Sequence, residues 1–326
     1  MSLKEIIIRE IRKIKTEIVS PLAIQVPEGL KQFSALILEE LKDYSPALFV
    51  DPCYGACDIK FKEAKELGCK TLIHFGHRQL PRLKTTRALK IIYVPLDFEY
   101  SNEQIDFIVS EIKKLELKKI SLVTTVQYLS NIPLIKEKLK KENISVLESK
   151  KTKRLQEHQI LGCDCSNLCD FVNPIVFVGD GRFHINNVSY NHRKQDVYLI
   201  NPLIGQSEKI IYDEMFLRQR YAAIARALEC RSFGILVSSK PGQNRLKLAK
   251  KIKAQLEKQG KIANILVSDY ISENYLLGID VDCYVNTACP RIAYDDFNSF
   301  KKPILSATEI EQIFNIKKEI KIDQIN

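Results

Sequence analysis

The side chains best suited to metal or nucleophilic chemistry are nine cysteines in 326 residues. Two stand in Asp51-Pro52-Cys53-Tyr54-Gly55-Ala56-Cys57-Asp58, a glycine-broken turn directly after the apolar run Ala47-Leu48-Phe49-Val50. Others fall in Leu161-Gly162-Cys163-Asp164-Cys165-Ser166-Asn167-Leu168-Cys169 and in Thr287-Ala288-Cys289-Pro290-Arg291. Taken together, Cys57, Cys163 and Cys289 are one ligand short of a usual structural zinc site, and no C-x-x-C pair occurs to complete one. Three thiolates on a four-iron cluster would instead leave one iron open to a substrate. Cysteine number does not separate zinc from iron. Either metal would deprotonate the thiols, which with a pKa of ~8.5 are otherwise only slightly ionised at neutral pH. Pro290 suits the first turn of a helix, which would place Cys289 at a positive terminus, and Gly55 lets its turn close or a ligand approach the backbone. Cys69, Cys230 and Cys283 sit in or beside apolar runs and are expected to pack as small hydrophobes.

Two further stretches join a strand to a helix. Ser238-Ser239-Lys240-Pro241-Gly242-Gln243-Asn244-Arg245 would present backbone N–H groups and Lys240 or Arg245 to an anion, although it lacks the second glycine and Lys-Ser/Thr ending of a Walker loop. Gly179-Asp180-Gly181-Arg182-Phe183-His184 follows Ile175–Val178 in the same way. His74 and His77 flank Phe75-Gly76, where a histidine is more often a hydrogen-bonded structural group than a ligand.

The elements that must position these residues alternate. An amphipathic helix is expected over 1–20, and strands at 22–26, 48–50, 71–75 and 90–94, with helices running to Leu41 and to about Gly68. The scheme repeats with helix 103–115, strand 120–124, helix 132–141 and strands 144–147 and 175–178. It returns with strand 234–237, helix 244–259, strand 263–267, a helix from Ser272 and strands 283–286 and 303–306. This is the α/β signature. From each cysteine to the next strand, 72 − 57, 175 − 163 and 304 − 289 give 15, 12 and 15 residues. The sequence therefore predicts three similar α/β domains, at 1–100, 101–205 and 206–326, with small parallel sheets whose carboxyl edges bring one thiol each to a pseudo-threefold centre.

Composition limits what such a chain can be. At 45% hydrophobic content it can bury roughly 75% of its extended surface in two or three cores. An odd number of irregularly spaced cysteines argues against a disulfide framework. The net charge of +10 favours acidic partners, but the lysines are spread over expected helix faces and name none. No apolar run approaches the ~18 residues that span a bilayer, and the start of the chain lacks signal-peptide features. A cytoplasmic protein is expected.

Five stretches, Tyr54-Gly55-Ala56-Cys57-Asp58, Ile160-Leu161-Gly162-Cys163, Gly181-Arg182-Phe183-His184, Lys240-Pro241-Gly242-Gln243 and Ala288-Cys289-Pro290-Arg291, closely resemble in type and order the enzyme family that starts diphthamide biosynthesis, in its compact archaeal form. The resemblance implies three similar α/β domains, each giving one cysteine to a [4Fe–4S] cluster: Cys57, Cys163 and Cys289, with Cys53, Cys165 and Cys169 as neighbours. It implies transfer of a 3-amino-3-carboxypropyl group from S-adenosylmethionine to a histidine of translation elongation factor 2. The mechanism is a radical one without the usual C-x-x-x-C-x-x-C motif. The cofactor-binding residues expected by position are Lys240, Gln243, Arg182 and His184, and Arg291 stands beside a ligand. Arg78 follows Gly76-His77 where relatives commonly carry a small hydroxyl residue. A homodimer, an outside electron donor and no requirement for nucleic acid or membrane complete the expectation. Quinolinate synthase, also three domains around an open-iron cluster, is the nearest rival, from which Tyr-Gly-Ala-Cys-Asp and Ala-Cys-Pro-Arg point away. A zinc-stabilised RNA-binding module is the rival of another class.

Overall fold

In the computed structural model, which describes residues 2–80, 88–168, 173–211, 214–314 and 320–325, the alternating pattern forms three separate sheets. The first contains β1 (Leu22–Gln25), β2 (Pro46–Phe49), β3 (Thr71–Phe75) and β4 (Lys90–Val94) in the order β2-β1-β3-β4, all parallel. The second contains β5 (Lys119–Thr124), β6 (Ser145–Leu147), β7 (Ile175–Val178), β8 (Val197–Asn201) and β9 (Gln206–Ile210) in the order β6-β5-β7-β8-β9, with only β9 antiparallel. The third contains β10 (Ser232–Ser238), β11 (Ile262–Ser268), β12 (Cys283–Asn286) and β13 (Ile304–Ser306) in the order β11-β10-β12-β13, all parallel. The same strand order thus recurs three times, as the sequence pattern predicts.

Successive side chains of a strand point to opposite faces, so a parallel sheet between helices needs two apolar layers. Each sheet has them. In the first, Ile24, Ile73 and Ile92 face Ile7, Ile11 and Ile37, while Ala23 and Leu72 face Ile59, Ala64 and Cys69. The second divides Leu122 and Val176 from Val123 and Phe177, and the third divides Ile235 and Val285 from Leu236 and Tyr284. Cys69, Cys230 and Cys283 belong to these layers, as expected, and Cys165 packs with Val123 and Ile160.

Four elements had too weak a pattern to be read. Helix Phe183–Asn191 is rich in asparagine, β9 is a polar hairpin edge, β8 precedes it, and helix Glu214–Leu228 buries an arginine on its inner face. The hairpin pairing Val197 with Ile210 assigns 206–210 to the second sheet, so the expected boundary after residue 205 falls within the hairpin. The helix expected from Ser272 is only a 3-10 turn, Glu273–Leu276. The thiols are not equivalent either: Cys57 and Cys163 lie between the second and third strands of their sheets, whereas Cys289 lies between the third and fourth. Among the described residues no helix is long and apolar enough to cross a membrane.

The third sheet carries a buried ion pair beneath the Cys289 region. Arg220 and Glu309 are both fully buried and form a two-pronged pair at 2.8 and 2.6 Å. Arg220 also donates to the carbonyls of Ala293 and Ile304, at 2.7 and 2.8 Å, tying helix Arg291–Tyr294 to β13. Removing one partner leaves a buried charge uncompensated, which costs about 3–5 kcal/mol. Glu309→Leu is therefore expected to lower the unfolding free energy by that order, read as a fall in the urea midpoint, and a midpoint unchanged from the parent would show the pair to be structurally idle.

Candidate metal centre where the three sheets meet

Cys57 reaches the centre on an arm from the first sheet that docks on the turn after β10. Gly242 donates its N–H to the Cys57 carbonyl at 3.1 Å, and the Gln243 side-chain amide donates to Cys57 Sγ at 3.4 Å. Lys240, buried, pairs with Asp58 at 2.8 Å, and Lys60 pairs with Asp269 at 3.1 Å. The Tyr54 and Tyr270 hydroxyls meet at 2.8 Å. Lys240-Pro241-Gly242-Gln243 and Tyr54-Gly55-Ala56-Cys57-Asp58 are therefore two halves of one joint. Gly242 is required by proximity, because a Cβ there would lie 2.3 Å from Cys57 Cα.

Cys163 sits at the tip of a tight turn closed by reciprocal Leu161 and Asp164 backbone hydrogen bonds of 2.9 and 3.2 Å. Gly162 keeps this turn bare, and a Cβ would strike the Phe183 ring at 2.4 Å. The C-terminal segment holds the turn from behind. Ile325 donates to the Cys163 carbonyl at 3.2 Å, and Gln324 Oε1 accepts from Cys165 N–H at 2.8 Å. Asp323 pairs with Arg245 at 2.9 and 2.6 Å, and Arg245 also caps the Thr287 and Ala288 carbonyls before Cys289. This strap joins the second sheet's thiol to the third's. Arg154 donates to the Ile325 carbonyl, and its positive charge bears on both Cys57 and Cys163.

Cys289 precedes helix Arg291–Tyr294 and is fixed by Asn286, whose side chain donates to the Cys289 carbonyl at 2.8 Å and accepts from Ala288 N–H at 3.0 Å. Arg291 is 7% exposed, pairs with Asp295 at 2.5 Å and lies 4.6 Å from the Phe183 ring centroid. Its Nη1 is buried without a hydrogen-bond partner among the described residues. His184 is pushed down to about 4, first by burial and then by the charges of Arg291 and His77. It is neutral at physiological pH.

The three thiols converge closely enough to act on one another. Burial, then the neighbouring thiols, push Cys289 far up; burial pushes Cys163 up to about 11 against the pull of Arg154; and burial pushes Cys57 up despite the Gln243 hydrogen bond. Half-buried thiols raised in this way stay protonated until a cationic group displaces the protons. Three thiols from three sheets could hold one metal centre, and a four-iron cluster on three thiolates keeps one iron open.

The other expected residues lie in different settings. Gln243 borders the centre through Cys57 Sγ, and His184 lies near Arg291 and Phe183. Lys240 reaches it only through Asp58, and Arg182 is exposed and held by two contacts to Glu208. Cys53 is buried beside Cys57, and Arg78 faces Asp97 at 3.6 Å. Cys169 lies outside the described residues. Arg154 and the 323–325 strap were not read from the sequence, since neither carries a motif.

The fold and centre define a class: a three-sheet α/β protein that brings three thiols together between its sheets. A family model described as "Putative diphthamide synthesis protein" matches residues 26–325. The chain is 34% identical to the 2-(3-amino-3-carboxypropyl)histidine synthase of Pyrococcus horikoshii, over 99% of this chain and 93% of the relative, and 31% identical to that of Methanocaldococcus jannaschii, over 98% and 92%. Crystal structures of Dph2 from Pyrococcus horikoshii superpose with a TM-score of 0.86. One, at 33% identity, covers 99% of this chain and 93% of that one; the other, with a 4Fe-4S cluster, is 32% identical and covers 100% and 94%. The chain belongs to the diphthamide synthesis protein family.

Two predictions test this geometry. Gly242→Ala, and separately deletion of residues 320–326, are expected to lower cluster iron per chain after anaerobic reconstitution while leaving a folded protein; full iron in both would refute the joint and the strap. For His184, the unfolded chain, with the ordinary value of 6.5, binds more protons between pH 6.5 and about 4 than the folded one. Its contribution to stability is complete above pH 6.5 and is lost as pH falls towards 4. His184→Gln is therefore expected to flatten the decline of the urea midpoint across that window.

Proposed function

We propose that the chain transfers the 3-amino-3-carboxypropyl group of S-adenosylmethionine to a histidine of translation elongation factor 2, the first step of diphthamide biosynthesis. The observation that carries this reading is the convergence of Cys57, Cys163 and Cys289, from three sheets, near enough for their charges to act on one another. Its support from relatives lies in their names as 2-(3-amino-3-carboxypropyl)histidine synthases and in the Dph2 structure with a 4Fe-4S cluster. The cluster, when bound, supplies one electron and an iron not held by a thiol.

The surrounding residues have separable tasks in this reading. Gln243 orients Cys57, and Arg154 favours thiolate at Cys57 and Cys163. Arg291, whose Nη1 has no hydrogen-bond partner among the described residues, receives the carboxylate of the aminocarboxypropyl group, a charge-assisted contact stronger than a neutral one. Gln243, on Cys57 Sγ, and neutral His184, near the charge of Arg291, are assigned to the cosubstrate. Lys240 acts indirectly, by locking Asp58 and with it the Cys57 arm. Arg182 is occupied by Glu208 and receives no contact. One thiol per sheet in a single chain suits a homodimer with a complete site in each copy, reduced by a separate electron donor, acting in the cytoplasm on a soluble protein.

Incubating the reduced protein with S-adenosylmethionine and elongation factor 2 is expected to yield methylthioadenosine and a histidine carrying the transferred group. 5′-Deoxyadenosine as the main product would refute the reaction, and a colourless zinc protein from anaerobic purification would refute the cluster. Cys57→Ala, Cys163→Ala and Cys289→Ala are each expected to lose cluster iron and activity, and Cys53→Ala to keep both. Arg291→Lys, which keeps the charge but loses the planar fork, is expected to raise the KM for S-adenosylmethionine while iron content stays at the parent level.

A further inference from the structure

A second set of ligand atoms stands beside the three-cysteine centre. Cys53, His74 and His77 bring Sγ and ring nitrogens within 4.8 Å of one another, with Cys53 2% exposed and His74 fully buried. His74 is held in one orientation by Gln25. The Gln25 amide nitrogen donates to the Asp58 carbonyl at 2.6 Å, while its Oε1 accepts from Lys60 N–H at 3.2 Å. That oxygen lies 3.0 Å from His74 Nδ1, so Nδ1 carries the proton and donates. His74 Nε2 is left with its lone pair and stands 3.0 Å from His77 Nδ1. One ring nitrogen donating to an oxygen while the other offers its lone pair is the arrangement of metal-bound histidines, whose outer partner fixes the tautomer. Two nitrogens on one zinc ion lie about 3.3 Å apart, from Zn–N lengths of about 2.0–2.1 Å and tetrahedral angles. The observed separation is close to that.

We propose that Cys53, His74 and His77 bind one divalent cation of the zinc class at a site distinct from the cluster. One sulfur and two imidazole nitrogens form a donor set that such ions accept, and three protein ligands leave a fourth position for water or a small molecule. Tyr93 lies against this site: its ring centroid is 5.4 Å from that of His74, and its hydroxyl is buried without a partner among the described residues. The set spans the loop before Cys57 and the end of β3, so a bound ion would brace the base of the Cys57 arm. This proposal is independent of the transferase reading.

The test uses the full chain with its cluster reconstituted, dialysed anaerobically against zinc and then against a weak chelator. Metal analysis and zinc K-edge absorption read zinc separately from iron. One zinc per chain is expected, with one sulfur and two nitrogen neighbours from the protein. Zinc should fall to background in Cys53→Ser and His77→Gln with iron unchanged, and Cys57→Ser should lose iron and keep zinc. A parent without zinc above those variants would overturn the proposal, leaving a hydrogen-bonded imidazole pair. So would zinc surrounded by three sulfurs, or iron lost from both folded variants, since these place the cation or the residues at the cluster.

Discussion

The hydrogen bond from Gly242 N–H to the Cys57 carbonyl is the contact on which the centre depends, because it fixes a thiol of the first sheet by backbone of the third. Neither sheet could present Cys57 alone: it lies at the end of a polar arm whose other attachments, Lys240–Asp58 and Lys60–Asp269, also cross between the two sheets. A backbone approach this close excludes any side chain at residue 242. The glycine thus serves the joint between sheets rather than a phosphate or other anion.

Electrostatics leaves the three thiols of the centre protonated in the protein alone. Desolvation first, and for Cys163 and Cys289 also the neighbouring thiols, raise the proton affinity, so the protein alone holds the three thiols neutral. Arg154 offsets part of this at Cys57 and Cys163, and the buried Arg291 adds a cation beside Cys289 whose Nη1 has no acceptor among the described residues. In the proposed reaction, a cationic cluster core and an anionic cosubstrate would complement what the chain leaves unbalanced. The C-terminal strap performs the mechanical counterpart, linking the Cys163 turn through Gln324 and Asp323 to Arg245 and the backbone before Cys289.

Much of this was legible in the residues. Strands such as Ile175–Val178 and Thr71–Phe75 read as short apolar runs because parallel strands are covered on both faces. Helix Glu214–Leu228 did not, since the group that fixes its inner face is an arginine whose partner, Glu309, lies 89 residues away. The hairpin edge β9 has no apolar face to betray it. Lys240 and Arg182 stood at strand ends where an anion site is reasonable, yet each is engaged by a carboxylate distant in sequence, Asp58 and Glu208.

The sequence by itself determined the three α/β repeats, the family likeness and the three candidate thiols, because strand burial and short motifs are encoded in neighbouring residues. Only the tertiary structure decided that Cys289 occupies a different connection from Cys57 and Cys163, that Arg154 and the 323–325 strap belong to the centre, and that Cys53 turns towards His74 and His77. Those outcomes depend on contacts between residues tens to hundreds of positions apart. No local periodicity records such contacts, because they are fixed by how three separately folded sheets pack against one another.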